Sequence, residues 1–238
     1  MPKYVVLDTE TTSLDTRNGA LWEVAIIVRD TDEPKNRVQE FWWQVRPDLL
    51  HADPNSLRVG RYYERAKMLG CEIGDGVELA ATDCGPDDAL VENVYGKTAK
   101  EGEVILEMSG ERIALALAEQ LDGATIVANN PAFDHRFLVK FLRENGQTLT
   151  ASHRMIDVRA LAMGYMHGRL RNRTVAEEFN GDPAAETLAA SWLSDWPSTS
   201  IDWRMLNVNS DLYEAHTALG DARLVRDVLN AVTGGTKR

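Results

Sequence analysis

The sequence predicts an α/β fold, with a mixed five-stranded sheet that begins as an antiparallel three-strand meander and carries helices on both faces. Two observations predict it. Three short segments rich in β-branched and aromatic residues open the chain and are joined by short polar links. After about residue 103, helical and strand-like segments alternate, which favours helices packed against a sheet.

The first half of the chain supplies the meander. Its strands are expected at Tyr4–Asp8, Trp22–Val28 and Glu40–Val45. Residues 46–103 then form a long mixed segment, of which Ser56–Leu69 has a helical pattern and the remainder is rich in Asp, Glu and Gly. We expect this segment to be an insertion within a single domain that spans residues 1–238.

The second half supplies the remaining strands and most of the helices. Asn130 and Pro131 offer a cap and a first-turn proline, so a helix should begin at about Ala132. The expected strands are Thr125–Ala128 and Met155–Val158, and the expected helices are Glu111–Leu121, Ala132–Glu144, Arg159–Met166, Arg173–Phe179, Glu186–Leu193 and His216–Val232.

Composition indicates a soluble cytoplasmic protein with no membrane segment. Hydrophobic residues make up 44% of the chain and charged residues 26%, which are ordinary globular values. No apolar run approaches the roughly 18 residues that cross a bilayer, and the N-terminus leads straight into a strand. Cys71 and Cys84 have no metal-binding spacing, so we expect two unpaired thiols in a reducing compartment.

The net charge of −11 bears on possible partners. Proteins that grip long stretches of nucleic acid through its phosphates are usually basic. The acidity therefore argues against a broad nucleic-acid surface. It argues less against an enzyme that holds a few nucleotides in a cleft containing cations, because bound cations reverse the local sign of the charge.

Asp8 and Glu10 lie two residues apart at the end of an apolar strand. Alternate side chains of a strand share a face, so both carboxylates should point the same way. Adjacent carboxylates repel each other unless a cation lies between them, and Mg²⁺ prefers oxygen ligands of this kind. A polar strand end that enters a turn is the competing interpretation.

Two further acids occupy apolar stripes of predicted helices. Asp134 precedes Phe137 and Leu138 by three and four residues, although its place in the first turn also suits helix capping. Asp221 precedes Val225 and Val228 by four and seven residues, which directs a carboxylate towards the core. A buried carboxylate is costly unless something such as a metal ion compensates its charge.

His216 lies five residues before Asp221. On an ideal helix this spacing separates the two side chains by about 140°, so they cannot share a face in mid-helix. The histidine could reach the same cleft from the N-terminal end of the helix. A surface or capping role is the competing interpretation.

Together, three strings resemble the DEDDh 3′→5′ exonuclease family, which includes the proofreading subunit of bacterial replicative DNA polymerase, RNase T and oligoribonuclease. The matching strings are residues 6–12 (VLDTETT), 130–134 (NPAFD) and 216–222 (HTALGDA). The chain departs from the family after the third strand. Relatives often carry a His-Gly pair there, whereas residues 57–63 (LRVGRYY) contain no histidine.

The resemblance implies an RNase H-like fold and a site with two Mg²⁺ or Mn²⁺ ions. Asp8 would bridge both ions, Glu10 and Asp221 would complete the site of the ion that activates water, and Asp134 would hold the second ion. His216 would act as general base. Thr9 and Phe133 would contact the terminal nucleotide. The implied reaction releases nucleoside 5′-monophosphates from a nucleic-acid 3′ end.

The sequence leaves the substrate and the partners open. Single-stranded DNA is favoured by analogy with proofreading subunits, which also suggests a DNA polymerase partner. An exoribonuclease is an alternative, as is a non-catalytic nucleic-acid-binding protein on the same fold. Another nuclease class on an RNase H-like sheet, such as an endonuclease, is a third. The oligomeric state is not predicted.

A few other residues have both a functional and a structural interpretation. The basic cluster Arg169, Arg171 and Arg173 suits phosphate contact or a solvated loop equally well. Asp157 is expected to be structural. The tryptophans of the first three strands are expected to be core residues rather than platforms for bases.

Overall fold

The structure is a computed structural model that describes residues 3–29, 38–67, 76–79, 104–171 and 202–234, together with residues 183 and 187. Cys71, Cys84, Arg173 and the predicted helix Arg173–Phe179 lie outside the described residues. So does the predicted helix Glu186–Leu193, apart from Thr187, which is helical.

The described residues include seven strands, which form one mixed sheet in the order β5-β4-β3-β2-β1-β6-β7. The strands are β1 (Tyr4–Thr11), β2 (Leu21–Arg29), β3 (Val38–Val45), β4 (Gly76–Leu79), β5 (Val104–Met108), β6 (Thr125–Ala128) and β7 (Met155–Asp157). The run from β1 to β5 is antiparallel, and β6 and β7 continue the sheet from β1 in parallel. The predicted mixed sheet with an opening meander is therefore confirmed.

The predicted count of five strands is too low, because the meander continues for two more strands. β4 pairs with β3 and β5 pairs with β4, which extends the sheet beyond Val45. All four residues of β4 are buried, and the strand begins with Gly76. A strand of four residues (GVEL) is too short for its alternation of apolar and polar residues to identify it in the sequence.

The described helices are α1 (Pro54–Val59), α2 (Tyr62–Arg65), α3 (Gly110–Leu121), α4 (Pro131–Glu144), α5 (Val158–Arg171) and α6 (Ala218–Thr233), with short 3₁₀ turns at Trp203–Leu206 and Ser210–Leu212. None of them combines the length and the apolar character needed to cross a lipid bilayer.

Helices cover both faces of the sheet, as predicted. On one face α3 and α4 pack against side chains such as Val5 and Leu7 of β1. On the other face α5, α6 and Tyr62 of α2 pack against a set that includes Val6 and Trp22. Trp22, Trp42 and Trp43 are all buried, as expected of core residues.

α4 begins at Pro131, within one residue of the prediction, but three other details of the helix ends differ from those expected. The pattern over Ser56–Leu69 splits into α1 and α2, because Arg61 takes a left-handed conformation (φ 50°). Asn130 precedes α4 with φ 66° and makes no side-chain cap. The last helix begins at Ala218 rather than His216, because Thr217 is its N-cap and accepts a hydrogen bond from the Gly220 N–H.

Candidate active site

The end of β1 presents Asp8 and Glu10 on the face of the sheet that α6 covers. They follow Val6 at intervals of two residues, and Val6 belongs to the core on that face. Thr9 alternates with them and therefore faces α4. The strand runs on to Thr11, so both carboxylates belong to a regular strand rather than to a turn.

Asp221 reaches the same place from the first turn of α6. One carboxylate oxygen from each of Asp8, Glu10 and Asp221 lies within 4.8 Å of the other two. The negative charge of Asp221 is favourable at a helix N-terminus, where backbone N–H groups are unpaired. The predicted convergence of acids from distant parts of the chain is therefore present for these three residues.

Asp134 lies in the first turn of α4 and is only 2% exposed. Its Oδ1 accepts a hydrogen bond of 2.7 Å from the hydroxyl of Thr9. It is not one of the three acids whose oxygens lie within 4.8 Å of one another. Its charge nevertheless raises the pKa of Asp8, after the larger effect of burial, so it belongs to the same electrostatic cluster.

His216 immediately precedes the N-cap of α6 and is exposed, with φ 58°. Its N–H donates a hydrogen bond of 3.1 Å to Oδ2 of Asp221. The imidazole is also close enough to Asp221 for its positive charge to oppose the rise that burial causes in the pKa of that acid. The histidine thus adjoins the acids from the helix end, which is the geometry that the spacing of five residues allowed.

The four carboxyl groups hold protons unusually tightly. Burial, followed by repulsion from Glu23 and Asp221, raises the pKa of Glu10 to about 8. Burial raises the pKa of Asp134 to about 7, although the Thr9 hydrogen bond opposes the rise. Burial and neighbouring carboxylates, Asp134 first, raise the pKa of Asp8 well above its ordinary value. The cluster therefore holds more negative charge than its surroundings neutralise.

Divalent cations fit this donor set. Each acid offers hard oxygen ligands, and the three oxygen atoms are near enough to surround one ion. Within the described ranges, no lysine or arginine forms an ion pair with Asp8, Glu10, Asp134 or Asp221. Burial raises the pKa of Glu10 and of Asp221 more than the nearby charge of Arg65 lowers it, so the protein compensates the charge of the cluster only in part.

Two residues that the sequence did not single out lie beneath the acids. Glu23 is directly opposite Glu10 in the β1–β2 register and is completely buried. It forms an ion pair with Arg65, whose side chain is 12% exposed. An isolated charge within the apolar strand Leu21–Val28 was the available signal for Glu23, because an unpaired buried carboxylate is costly.

Other candidate residues divide between the site and the core. Phe133 is partly buried and its ring centroid lies 5.0 Å from that of Phe137, so at least part of the ring packs in the core. Asp157 accepts hydrogen bonds from the N–H groups of Arg159 and Ala160, which is the expected structural role. The guanidinium of Arg169 lies over the ring of Tyr165, at 5.4 Å from its centroid.

No known protein-family profile matches the chain, and no curated protein sequence matches it significantly. The fold does match solved structures. A structure of exonuclease I superposes with a TM-score of 0.57 at 13% identity and covers 98% of this chain. A zinc-bound complex of E. coli ExoI with single-stranded DNA gives a TM-score of 0.52 at 12% identity over 98% of this chain.

An ExoI/SSB-Ct complex gives a TM-score of 0.54 at 11% identity and covers 99% of this chain. This chain spans 41% to 42% of the length of these three neighbours. At such identity the likeness establishes the fold, which is the RNase H-like α/β fold of an exonuclease. The three neighbours are exonuclease I structures, and none is a proofreading subunit of a polymerase.

Proposed function

We propose that this chain is a divalent-metal-dependent 3′→5′ exonuclease of the DEDDh type. One observation carries the proposal: carboxylate oxygens of Asp8, Glu10 and Asp221, from two distant segments, lie within 4.8 Å of one another. His216 adjoins this group through its hydrogen bond to Asp221. The likeness of the fold to exonuclease I adds support.

We assign the residues roles that follow from their positions and from the family resemblance. Asp8 interacts electrostatically with Asp134, Asp221 and Glu10, and it would help to hold both of two cations, Mg²⁺ or Mn²⁺. Glu10 and Asp221 would complete the ligands of one cation. Asp134, which is more buried, would hold the other directly or through water.

When bound, the cations supply Lewis acidity that makes a nearby water more acidic and offsets negative charge on the attacking and leaving oxygens. His216 would accept the proton of that water, since a neutral imidazole near pH 7 suits a general base. Its place at the exposed edge of the cluster leaves it open to solvent and to substrate. Products would be nucleoside 5′-monophosphates.

Single-stranded DNA is the proposed substrate. A neighbour of the same fold is a complex with single-stranded DNA, and the family resemblance to proofreading subunits points the same way. Thr9 and Phe133 adjoin the acids and remain proposed contacts of the terminal nucleotide, although the hydroxyl of Thr9 is already engaged by Asp134. A DNA polymerase remains a proposed partner.

RNA is the alternative substrate, because other members of the resembling family are ribonucleases. Release of mononucleotide from RNA but not from DNA would indicate an exoribonuclease. The proposed metal-dependent hydrolysis would be the same. Activity on a closed circular DNA would instead indicate an endonuclease.

A non-catalytic nucleic-acid-binding role is the second candidate. Nothing in the acid cluster favours it, because the buried Asp134 and the half-buried Asp8, Glu10 and Asp221 form no ion pair with a lysine or arginine among the described residues. Calorimetric titration with Mn²⁺ separates the two functions. No detectable cation binding would favour the non-catalytic role.

The decisive experiment is a substrate panel. DNA and RNA oligonucleotides of one sequence, with free and with blocked 3′ ends, are incubated with Mg²⁺, with Mn²⁺ and with EDTA. We expect mononucleotide release from free 3′ ends only, and only with a cation. If no substrate yields mononucleotide under any cation condition, the proposed function is wrong.

A further inference from the structure

Arg65, the last residue of α2, joins three parts of the chain around the acid cluster. Its Nη1 donates to the carbonyl oxygens of Gly60, at 2.7 Å, and of His216, at 2.6 Å. Its Nη2 donates to the carboxylate of Glu23. A planar guanidinium with donors in a fixed fork suits such a three-way contact, which a lysine cannot reproduce.

The carboxylate of Glu23 is held in place by hydrogen bonds from the sheet. Its Oε1 accepts hydrogen bonds from Trp42, at 3.0 Å, and from Gln44, at 2.8 Å, both in β3. Its Oε2 accepts from the backbone N–H of Ala218, at 3.0 Å, as well as from Arg65. The carboxylate therefore anchors both Arg65 and the first residue of α6 to the sheet.

The backbone of His216 is held on both sides by this arrangement. Its φ of 58° is a left-handed conformation that non-glycine residues rarely adopt. Its N–H is bound by Asp221 and its carbonyl oxygen by Arg65. Glu214, two residues earlier, forms an ion pair with Arg61. An unfavourable conformation persists only where such contacts over-determine it.

We propose that Arg65 and Glu23 form a positioning pair that holds His216 in its left-handed conformation, so that the imidazole faces the acid cluster. This inference rests on the proposed function, in which His216 is the general base. The side chain of Arg65 donates to the backbone of that residue, to the backbone of Gly60 and to Glu23, so we assign it a positioning role that acts through the histidine. The α2 segment thereby takes part in the site although it lacks the His-Gly pair of the relatives.

The ion pair between Arg226 and Glu40 provides a control that separates positioning of His216 from stabilisation of the fold. Arg226 lies more than one turn beyond Asp221 in α6 and pairs with the buried carboxylate of Glu40 in β3, at 3.1 Å. Like Arg65, Arg226 is a partly buried arginine that pairs with a fully buried glutamate of the sheet, although Glu40 also pairs with Arg223. The hydrogen bonds of Arg226 go to Glu40 and Asp227 rather than to the backbone of residues 214–218. Arg226→Met is therefore the matched control for Arg65→Met.

The test is a double-mutant cycle on kcat for mononucleotide release from single-stranded DNA. Arg65→Met should lower kcat roughly 10²-fold with little change in KM, because a misplaced catalytic group costs about that much. Arg65→Met/His216→Ala should be within about twofold of His216→Ala alone, since the two act as one unit. Arg226→Met should change kcat little. Its fold-change in kcat should multiply with that of His216→Ala in the double mutant.

Arg65→Lys keeps the charge and loses the fork. It should recover part of the lost rate, to within roughly tenfold of wild type, and should show the same non-additivity with His216→Ala. If Arg65→Met does not fold, Arg65→Lys replaces it in the double-mutant cycle. If the fold-loss of kcat in Arg65→Met or Arg65→Lys multiplies with that of His216→Ala, the inference is overturned. Arg65 would then only stabilise the fold through its ion pair with Glu23.

An activity-free measurement separates this inference from the proposed function. In protein labelled with ¹⁵N-histidine, the His216 ring resonance is assigned by its loss in His216→Ala. Arg65→Met should move it towards the position of free histidine, and Arg226→Met should not. If wild type releases no mononucleotide, the proposed function fails while this shift still tests the positioning. An unchanged resonance in Arg65→Met overturns the inference.

Discussion

The hydroxyl of Thr9 donates a hydrogen bond of 2.7 Å to Oδ1 of Asp134, joining β1 to α4 across 125 residues of sequence. Thr9 faces away from Asp8 and Glu10 on the strand, so this bond ties the most buried acid to the opposite side of the same strand end. It also opposes the rise that burial causes in the pKa of Asp134.

Thr9→Val should therefore raise the pKa of Asp134 further and weaken cation binding at neutral pH. We expect the Mn²⁺ concentration for half-maximal activity to rise and stability to fall by about 1 kcal/mol, the usual contribution of a buried hydrogen bond. Mn²⁺ titration of activity and denaturant unfolding measure the two effects.

The control for Thr9→Val is Thr11→Val on the same strand. The Thr11 hydroxyl donates only to the carbonyl oxygen of Ser13, so this change should lower stability without altering the Mn²⁺ requirement. An equal shift in the Mn²⁺ requirement of both variants would contradict a specific role for the Thr9–Asp134 bond.

Asp8→Asn should remove activity and stabilise the metal-free protein. The carboxylate is a proposed ligand of both cations, and losing several kcal/mol of transition-state stabilisation corresponds to a rate lower by about 10³-fold. The same change removes a charge that Asp134, Asp221 and Glu10 oppose. Unfolding temperature in EDTA should therefore rise, and activity with Mn²⁺ should be measured alongside.

Asp202→Asn is the matched control for Asp8→Asn. Asp202 caps a 3₁₀ turn and pairs with the exposed Arg204, so its loss should lower stability slightly and leave activity unchanged. A lower unfolding temperature of Asp8→Asn in EDTA would show that repulsion within the cluster is not the dominant effect there.

The metal-free protein should lose stability as the pH rises from 5 to 8. Glu10, with a pKa of about 8, and Asp134, with a pKa of about 7, bind protons more tightly in the folded chain than in the unfolded one. Their contribution is complete below about pH 4 and disappears as the pH rises through 7 to 8. Unfolding temperature in EDTA across this range measures the effect.

Mg²⁺ or Mn²⁺ should reverse that pH trend, because a cation binds the deprotonated carboxylates. Stabilisation by a fixed cation concentration should be greater at pH 8 than at pH 5. Glu10→Gln should flatten the metal-free trend. Higher metal-free stability at pH 8 than at pH 5 would contradict the pKa directions of Glu10 and Asp134.

Gly220→Ala should destabilise the start of α6. An added Cβ would overlap the carbonyl oxygen of Glu214 and lie 2.5 Å from Oγ1 of Thr217, the N-cap. Overpacking of this kind costs about 1–3 kcal/mol. Gly164→Ala in α5 meets no atom within 4 Å and should instead stabilise by about 0.5–1 kcal/mol. Denaturant unfolding compares the two, and equal effects would contradict the close packing at Gly220.

Much of the site could be predicted from local periodicity. The two-residue period of a strand directs Asp8 and Glu10 to one face, and the helical period directs Asp134 and Asp221 inward. The sheet could be predicted less completely. β4 has only four residues, so its alternating pattern is too short to identify it, and its pairing with β3 depends on a partner that is distant in sequence.

The sequence by itself determined which acids face the proposed site, because residue type and spacing decide which face of an element each side chain occupies. Only the tertiary structure decided what supports them. Glu23 adjoins Glu10 through the β1–β2 register, and Arg65 reaches His216 because the turn after α1 brings α2 against the start of α6. Such contacts join residues far apart in the chain, and local periodicity contains no information about them.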